Sequence, residues 1–260
     1  MPIHFTLALL ISALFASAGL QQKGTPAAAK QTAAANNPAT TPAPREDEGW
    51  RQRNDSINAR MAQGREKGDL ELLFIGDSIT QAWEGPGRAA WDKHFAPRGA
   101  ANLGIGGDQT QHVIWRLQNG HLEGLAAPAA GKAPRLAVVV IGTNNLSAGQ
   151  TPEQVAGGVE GVIDAIRAGL PDVQVLLLAI LPRGEQPFDL LRVKVEKTNA
   201  LLEPLAKRKN VHYLDTGATF LMEDGKISPA IMPDFLHLSP AAYDQWAAAI
   251  DARVQELLGE

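Results

Sequence analysis

Three stretches of the chain are apolar without a break and rich in branched side chains: residues 72–75, 136–141 and 175–181. Runs of this kind predict parallel strands covered on both faces. Residues 211–214 and the weaker 100–103 predict two more. Between them, apolar positions recur at helical spacing. Val155, Val159, Val162, Ile163 and Ile166 fall on one face, behind Thr151 as N-cap and Pro152 as first helical residue. Near the C-terminus Ser239 and Pro240 open a helix with a stripe of Tyr243, Trp246, Ile250, Val254 and Leu257. Strands alternating with helices through right-handed crossovers predict a three-layer α/β/α domain over residues 49–260. Its core is a doubly wound parallel sheet of about five strands in the order 2-1-3-4-5.

The N-terminal stretch follows neither period. Residues 3–15 are mostly apolar and Ala16-Ser17-Ala18 supplies small residues where a signal peptidase cuts, so residues 1–18 read as a signal peptide and the protein as exported, periplasmic or extracellular. Because the first Lys or Arg is Lys23, an uncleaved anchor is the alternative. Residues 19–48 turn to Ala, Pro, Thr, Gln and Asn, the composition of a flexible linker.

Composition then removes several chemistries. Lys and Arg total 24 against 28 Asp and Glu, a net charge of -4, so there is no excess of positive charge for a nucleic-acid backbone. The chain has no cysteine, which excludes disulfides, thiolate metal sites and Cys nucleophiles. The histidines lack metal-site spacing.

Four loops carry candidate chemistry. The first strand runs into Gly76-Asp77-Ser78-Ile79-Thr80, which sets a hydroxyl at a strand-to-helix turn, on the edge where open α/β sheets bind ligands. Ser78 is the candidate nucleophile, although Asp77 or Ser78 could equally serve only as a helix cap. Asn102-Leu103-Gly104-Ile105-Gly106-Gly107-Asp108 offers backbone N–H groups unshielded by side chains. Gln109 stands where the last glycine of a dinucleotide fingerprint would be. In Gly142-Thr143-Asn144-Asn145 a side-chain amide can donate to developing negative charge, or simply form a turn. In Asp234-Phe235-Leu236-His237 a carboxylate and an imidazole stand three residues apart, after an irregular stretch over 216–236 long enough to reach across the sheet. With the order 2-1-3-4-5, the Gly104 and Asn144 loops flank Ser78 at about one strand spacing, roughly 4.8 Å.

These four blocks, in this order, resemble SGNH (GDSL-type) hydrolases. The stretches NLGIGGDQTQHVIWRLQNG from Asn102, IGTNN from Ile141, LPRGEQP from Leu181 and DFLHLS from Asp234 are similar to the branch of the type Ib intracellular platelet-activating-factor acetylhydrolase catalytic subunits. The resemblance spans about residues 70–258. It implies Ser78 as nucleophile, His237 as general base and Asp234 as its orienting partner. It also implies an oxyanion hole from the Ser78 and Gly104 backbone N–H groups and the Asn144 amide, with Ile79, Thr143 and Leu236 crowding the acyl group. Such an enzyme would need no cofactor and no metal, and its subunits would pair as a homodimer. The expected substrates are acetyl-type esters of glycans, small alcohols or platelet-activating-factor-like lipids. The rival class is a non-catalytic module that holds a glycan or lipid headgroup on the same fold.

Overall fold

The computed structural model describes residues 1–2 and 37–260. The segment read as a signal peptide, apart from its first two residues, and the linker up to residue 36 lie outside the described residues.

Residues 37–260 form the predicted sheet: β1 (Leu72–Gly76), β2 (Ala100–Gly104), β3 (Leu136–Val140), β4 (Gln174–Leu178) and β5 (Val211–Leu214), all parallel, in the order β2-β1-β3-β4-β5. Every residue of β1 and β3 is buried, as unbroken apolar runs require when helices cover both faces. Alternate side chains serve two cores. Leu73, Ile75, Val139 and Leu177 face a layer that includes α1 (Glu48–Lys67), α4 (Thr110–Arg116), α6 (Pro152–Gly169) and α7 (Leu190–Leu202). Leu72, Phe74, Val138 and Leu176 face the layer of α3 (Arg88–His94) and α8 (Pro240–Leu258). Among the described residues no helix is long and apolar enough to cross a membrane.

The caps act as their sequences predict. Thr151 and Gln154 exchange hydrogen bonds in a capping box at α6, and the Ser239 hydroxyl accepts the Ala242 N–H at α8. The buried stripe of α8 ends on Leu258, with Leu257 only partly covered. The run 175–181 is buried throughout, yet β4 stops at Leu178, because its neighbour β5 ends opposite it. Beyond that point Asn199 replaces the missing strand, accepting the Ile180 N–H and donating to its carbonyl, both at 2.9 Å.

Residues 37–48 correct the linker boundary. Ala39 is fully buried, Asn37 donates to the Gln154 carbonyl at 2.8 Å and Arg45 to the Gly106 carbonyl at 2.6 Å. Asp47 caps α1 by accepting the Trp50 N–H. Composition suggested a tether here, but specific hydrogen bonds to α6 and to the loop after β2 hold the segment down. The irregular stretch over 216–236 is also anchored, by buried Phe220, Ile227 and Met232.

Candidate active site

Register places the chemistry. Gly76 pairs with Gly104 on one side and Val140 on the other, so the loops leaving β1, β2 and β3 start level along one edge. Asp77 follows β1 and caps α2 (Ser78–Gln81) through its Oδ1, which accepts the Ile79 N–H at 3.0 Å. Only four residues long, α2 is too short for a full macrodipole. The turn is held from outside: Tyr243 on α8 donates its hydroxyl to the Ile79 carbonyl at 2.6 Å, and Trp83 stacks on Trp246 at 5.2 Å.

Ser78, His237 and Asp234 meet. Ser78 Oγ lies 3.0 Å from His237 Nε2, and His237 Nδ1 lies 2.6 Å from Asp234 Oδ2. A carboxylate only accepts, so the proton between them belongs to Nδ1, and Nε2 is left with a lone pair for the serine hydroxyl. Asp234 Oδ1 accepts the N–H groups of Leu236 and His237 at 3.1 and 2.7 Å. Partial burial pushes its carboxyl up, but hydrogen bonds from the His237 ring and from these backbone groups outweigh that and hold it below the ordinary range. It stays ionised at neutral pH.

The Gly104 expectation fails. Its N–H is already donated to Asn102 Oδ1 at 2.8 Å, and a Cβ there would lie 2.2 Å from the Gln81 nitrogen. This glycine lets two backbones touch and has no free N–H for substrate. Further along the loop, Gly106 donates to Gln81 Oε1 at 2.7 Å. Gly107, exposed and at φ 78°, has an N–H with no hydrogen-bond partner among the described residues, as has Ser78.

Asn144 donates to the Asp108 carbonyl at 2.9 Å and lies 3.5 Å from Asp77 Oδ2. Asn145 is fully buried and structural, accepting the Thr110 N–H and donating to Thr110 Oγ1, each at 3.0 Å. Of the residues expected to crowd the acyl group, Ile79 lies in the core, buried Thr143 accepts from Arg183 at 2.9 Å, and Leu236 lines a pocket that also includes Asp234.

Periodicity passed over the residues beneath these loops. Asp108 is fully buried and receives Trp50 Nε1 and Arg116 Nε, both at 2.8 Å. Arg116, equally buried, donates to the Gly76 carbonyl at 2.9 Å and lies 3.1 Å from His121 Nδ1. Burial, together with this guanidinium, pushes His121 well below the ordinary imidazole range, so the neutral ring accepts from Arg116 and donates to Asn54 Oδ1. The network braces the ends of β1 and β2 from below. A charged pair within the GIGGD-to-WRL stretch was the only sequence signal for it.

Asp77 is fully buried, and loss of hydration pushes its carboxyl up to about 7 against the Ile79 N–H, with Asp108 adding to the rise. An unfolded Asp ionises near 3.9. The folded chain therefore holds an extra proton between about pH 4 and 7, and this group's contribution to stability falls as pH rises through that window. Asp77→Asn removes the titration. Its melting temperature relative to wild type should be higher at pH 8 than at pH 5, by roughly 5–10 °C; an equal offset at both pH values would refute the raised carboxyl.

The model of the GDSL-like lipase/acylhydrolase family matches residues 74–245. The chain belongs to this family. It is 38% identical over 226 residues to the human platelet-activating factor acetylhydrolase IB subunit alpha2, covering 86% of this chain and 93% of that protein. The chicken alpha2 subunit is 39% identical over 226 residues, covering the same shares. Among solved structures, a putative acylhydrolase from Bacteroides fragilis superposes with a TM-score of 0.66 at 19% identity, covering 82% of this chain and all of that one. An acetyl xylan esterase superposes at 0.59 with 19% identity, over 71% of this chain and all of that one. This GDSL acylhydrolase is a carboxylic ester hydrolase. A cavity of about 840 Å³ lies between α1 and α6; it shares no residue with the site and has no serine or histidine in its lining.

Proposed function

We propose that the enzyme hydrolyses short-chain, acetyl-type carboxylic esters through Ser78, His237 and Asp234. The observation that carries this reading is the unbroken chain from Ser78 Oγ through the imidazole to Asp234, at 3.0 and 2.6 Å. Ser78 Oγ attacks the ester carbonyl carbon while its proton passes to His237 Nε2. Negative charge develops on the carbonyl oxygen, and the Ser78 N–H, the Gly107 N–H and the Asn144 amide receive it, with Gly107 taking the role first given to Gly104. As the tetrahedral intermediate collapses, the bond to the alcohol oxygen breaks and His237 protonates that oxygen. Water then attacks the acyl-enzyme, His237 takes its proton, and carboxylic acid and free Ser78 are released. Asp234 stays ionised throughout and steadies the imidazolium.

The names of the relatives, an acetylhydrolase and an acetyl xylan esterase, support a small acyl group. The apolar run over 3–15 with Ala16-Ser17-Ala18 supports an exported enzyme. The test is hydrolysis of p-nitrophenyl acetate, butyrate and octanoate, with Asn144→Ala beside wild type. Turnover should fall with acyl length, and the variant should lose about 10²- to 10³-fold in kcat. Faster octanoate than acetate, or a variant within threefold of wild type, would overturn the reading.

A further inference from the structure

A pocket of about 580 Å³ opens between residues 183–191 and the loop that carries the catalytic acid and base. Its wall includes Asp234, Phe235 and Leu236 on one side and Leu190 and Leu191 on the other. Asp234 thus belongs both to this wall and to the hydrogen bond on His237. In ester hydrolysis His237 protonates the departing alcohol oxygen, so the alcohol portion leaves past the imidazole that Asp234, in the wall of this pocket, orients.

The lining describes what fits. Leu190 is 70% exposed and Phe188, two residues earlier, 77%, the highest values of any large apolar side chains between residues 37 and 260. Phe235 is held at φ 57°, a region an aromatic residue rarely adopts and one that recurs at binding sites where surrounding structure overdetermines it. Two backbone hydrogen bonds do so here: Phe235 N–H to the Met232 carbonyl at 2.9 Å, and Gly184 N–H to the Phe235 carbonyl at 2.8 Å. Charge argues against an anion, since Glu185, Asp189 and Asp234 line the pocket against a single cation, Arg183. That guanidinium already donates from Nη1 to Thr143 and Ser147.

We propose that this pocket is the alcohol subsite and that it takes an uncharged, apolar alkyl or aryl group. The inference rests on the esterase reading and sharpens it, favouring acetates of apolar alcohols over anionic lipids.

Hexyl and methyl acetate test it, because they share the acyl group and have leaving alkoxides of similar basicity. Each methylene buried is worth about fourfold in kcat/KM, so wild type should prefer hexyl acetate by about tenfold or more. Leu190→Ser, and Phe235→Asn, which keeps a residue tolerant of positive φ, should each lower the hexyl-to-methyl ratio by about threefold or more. The ratio cancels damage to steps common to both esters. A wild-type ratio near one, or a ratio unmoved by both substitutions, overturns the subsite while leaving the esterase intact. A wild-type dimer that Leu190→Ser takes apart, by light scattering, also overturns it and assigns the rim to a second copy. If no hydrolysis of either ester depends on Ser78, the esterase reading falls and the subsite with it.

Discussion

Ser78→Ala is expected to lower kcat on p-nitrophenyl acetate by about 10⁴- to 10⁶-fold, with little change in melting temperature. The loss is large because, in the proposed reaction, the hydroxyl is the only group that bonds to the acyl carbon. His237 cannot act without it, and the donors around the oxyanion stabilise a charge that no longer forms. The fold should hold, since Ser78 is half-buried and its side chain has a single hydrogen bond, to His237. Steady-state kinetics and a thermal melt on the same preparation separate the two effects. More than one hundredth of wild-type turnover in a folded variant would remove Ser78 from the reaction.

Asp108→Ala is expected to be the most damaging substitution for stability, at about 3–5 kcal/mol, or roughly 10 °C in melting temperature. The carboxylate is fully buried and neutralises an equally buried Arg116. Burial pushes the Arg116 guanidinium down, and Asp108 is the principal group that opposes it. Without Asp108 that charge faces its desolvation uncompensated, and Trp50 Nε1 loses its acceptor. Exposed pairs such as Arg88–Asp92 are screened by water and contribute little. Activity should fall too, because Arg116 braces the Gly76 carbonyl and the Asp108 loop carries the acceptor for Asn144. Thermal unfolding checks this: a loss under about 3 °C would show that the network contributes little.

The strands and the helices between them were legible because the signals are local. Unbroken apolar runs cannot lie on a solvated surface, and Thr151 and Ser239 cap helices through atoms a few residues away. The loops that meet at Ser78 were legible for a related reason: parallel strands in register bring their C-terminal ends to one edge, whatever lies between them in sequence.

Hydrogen-bond ownership was not legible, since it depends on partners far along the chain. Gly104 and Gly107 look alike in sequence. Only the tertiary structure commits the Gly104 N–H to Asn102 and leaves that of Gly107 free of partners among the described residues. Residues 37–48 read as linker because their composition is polar, but contacts with α6 and Gly106 order them. The Asp108–Arg116–His121 network and the left-handed Phe235 were hidden for the same reason, as burial and backbone strain are properties of the assembled core. The sequence by itself therefore determined the layers, the caps and the edge where chemistry gathers, through periodicity and short-range bonding. Which N–H is free and which charge is buried were decided by tertiary packing, because each depends on residues distant in the chain.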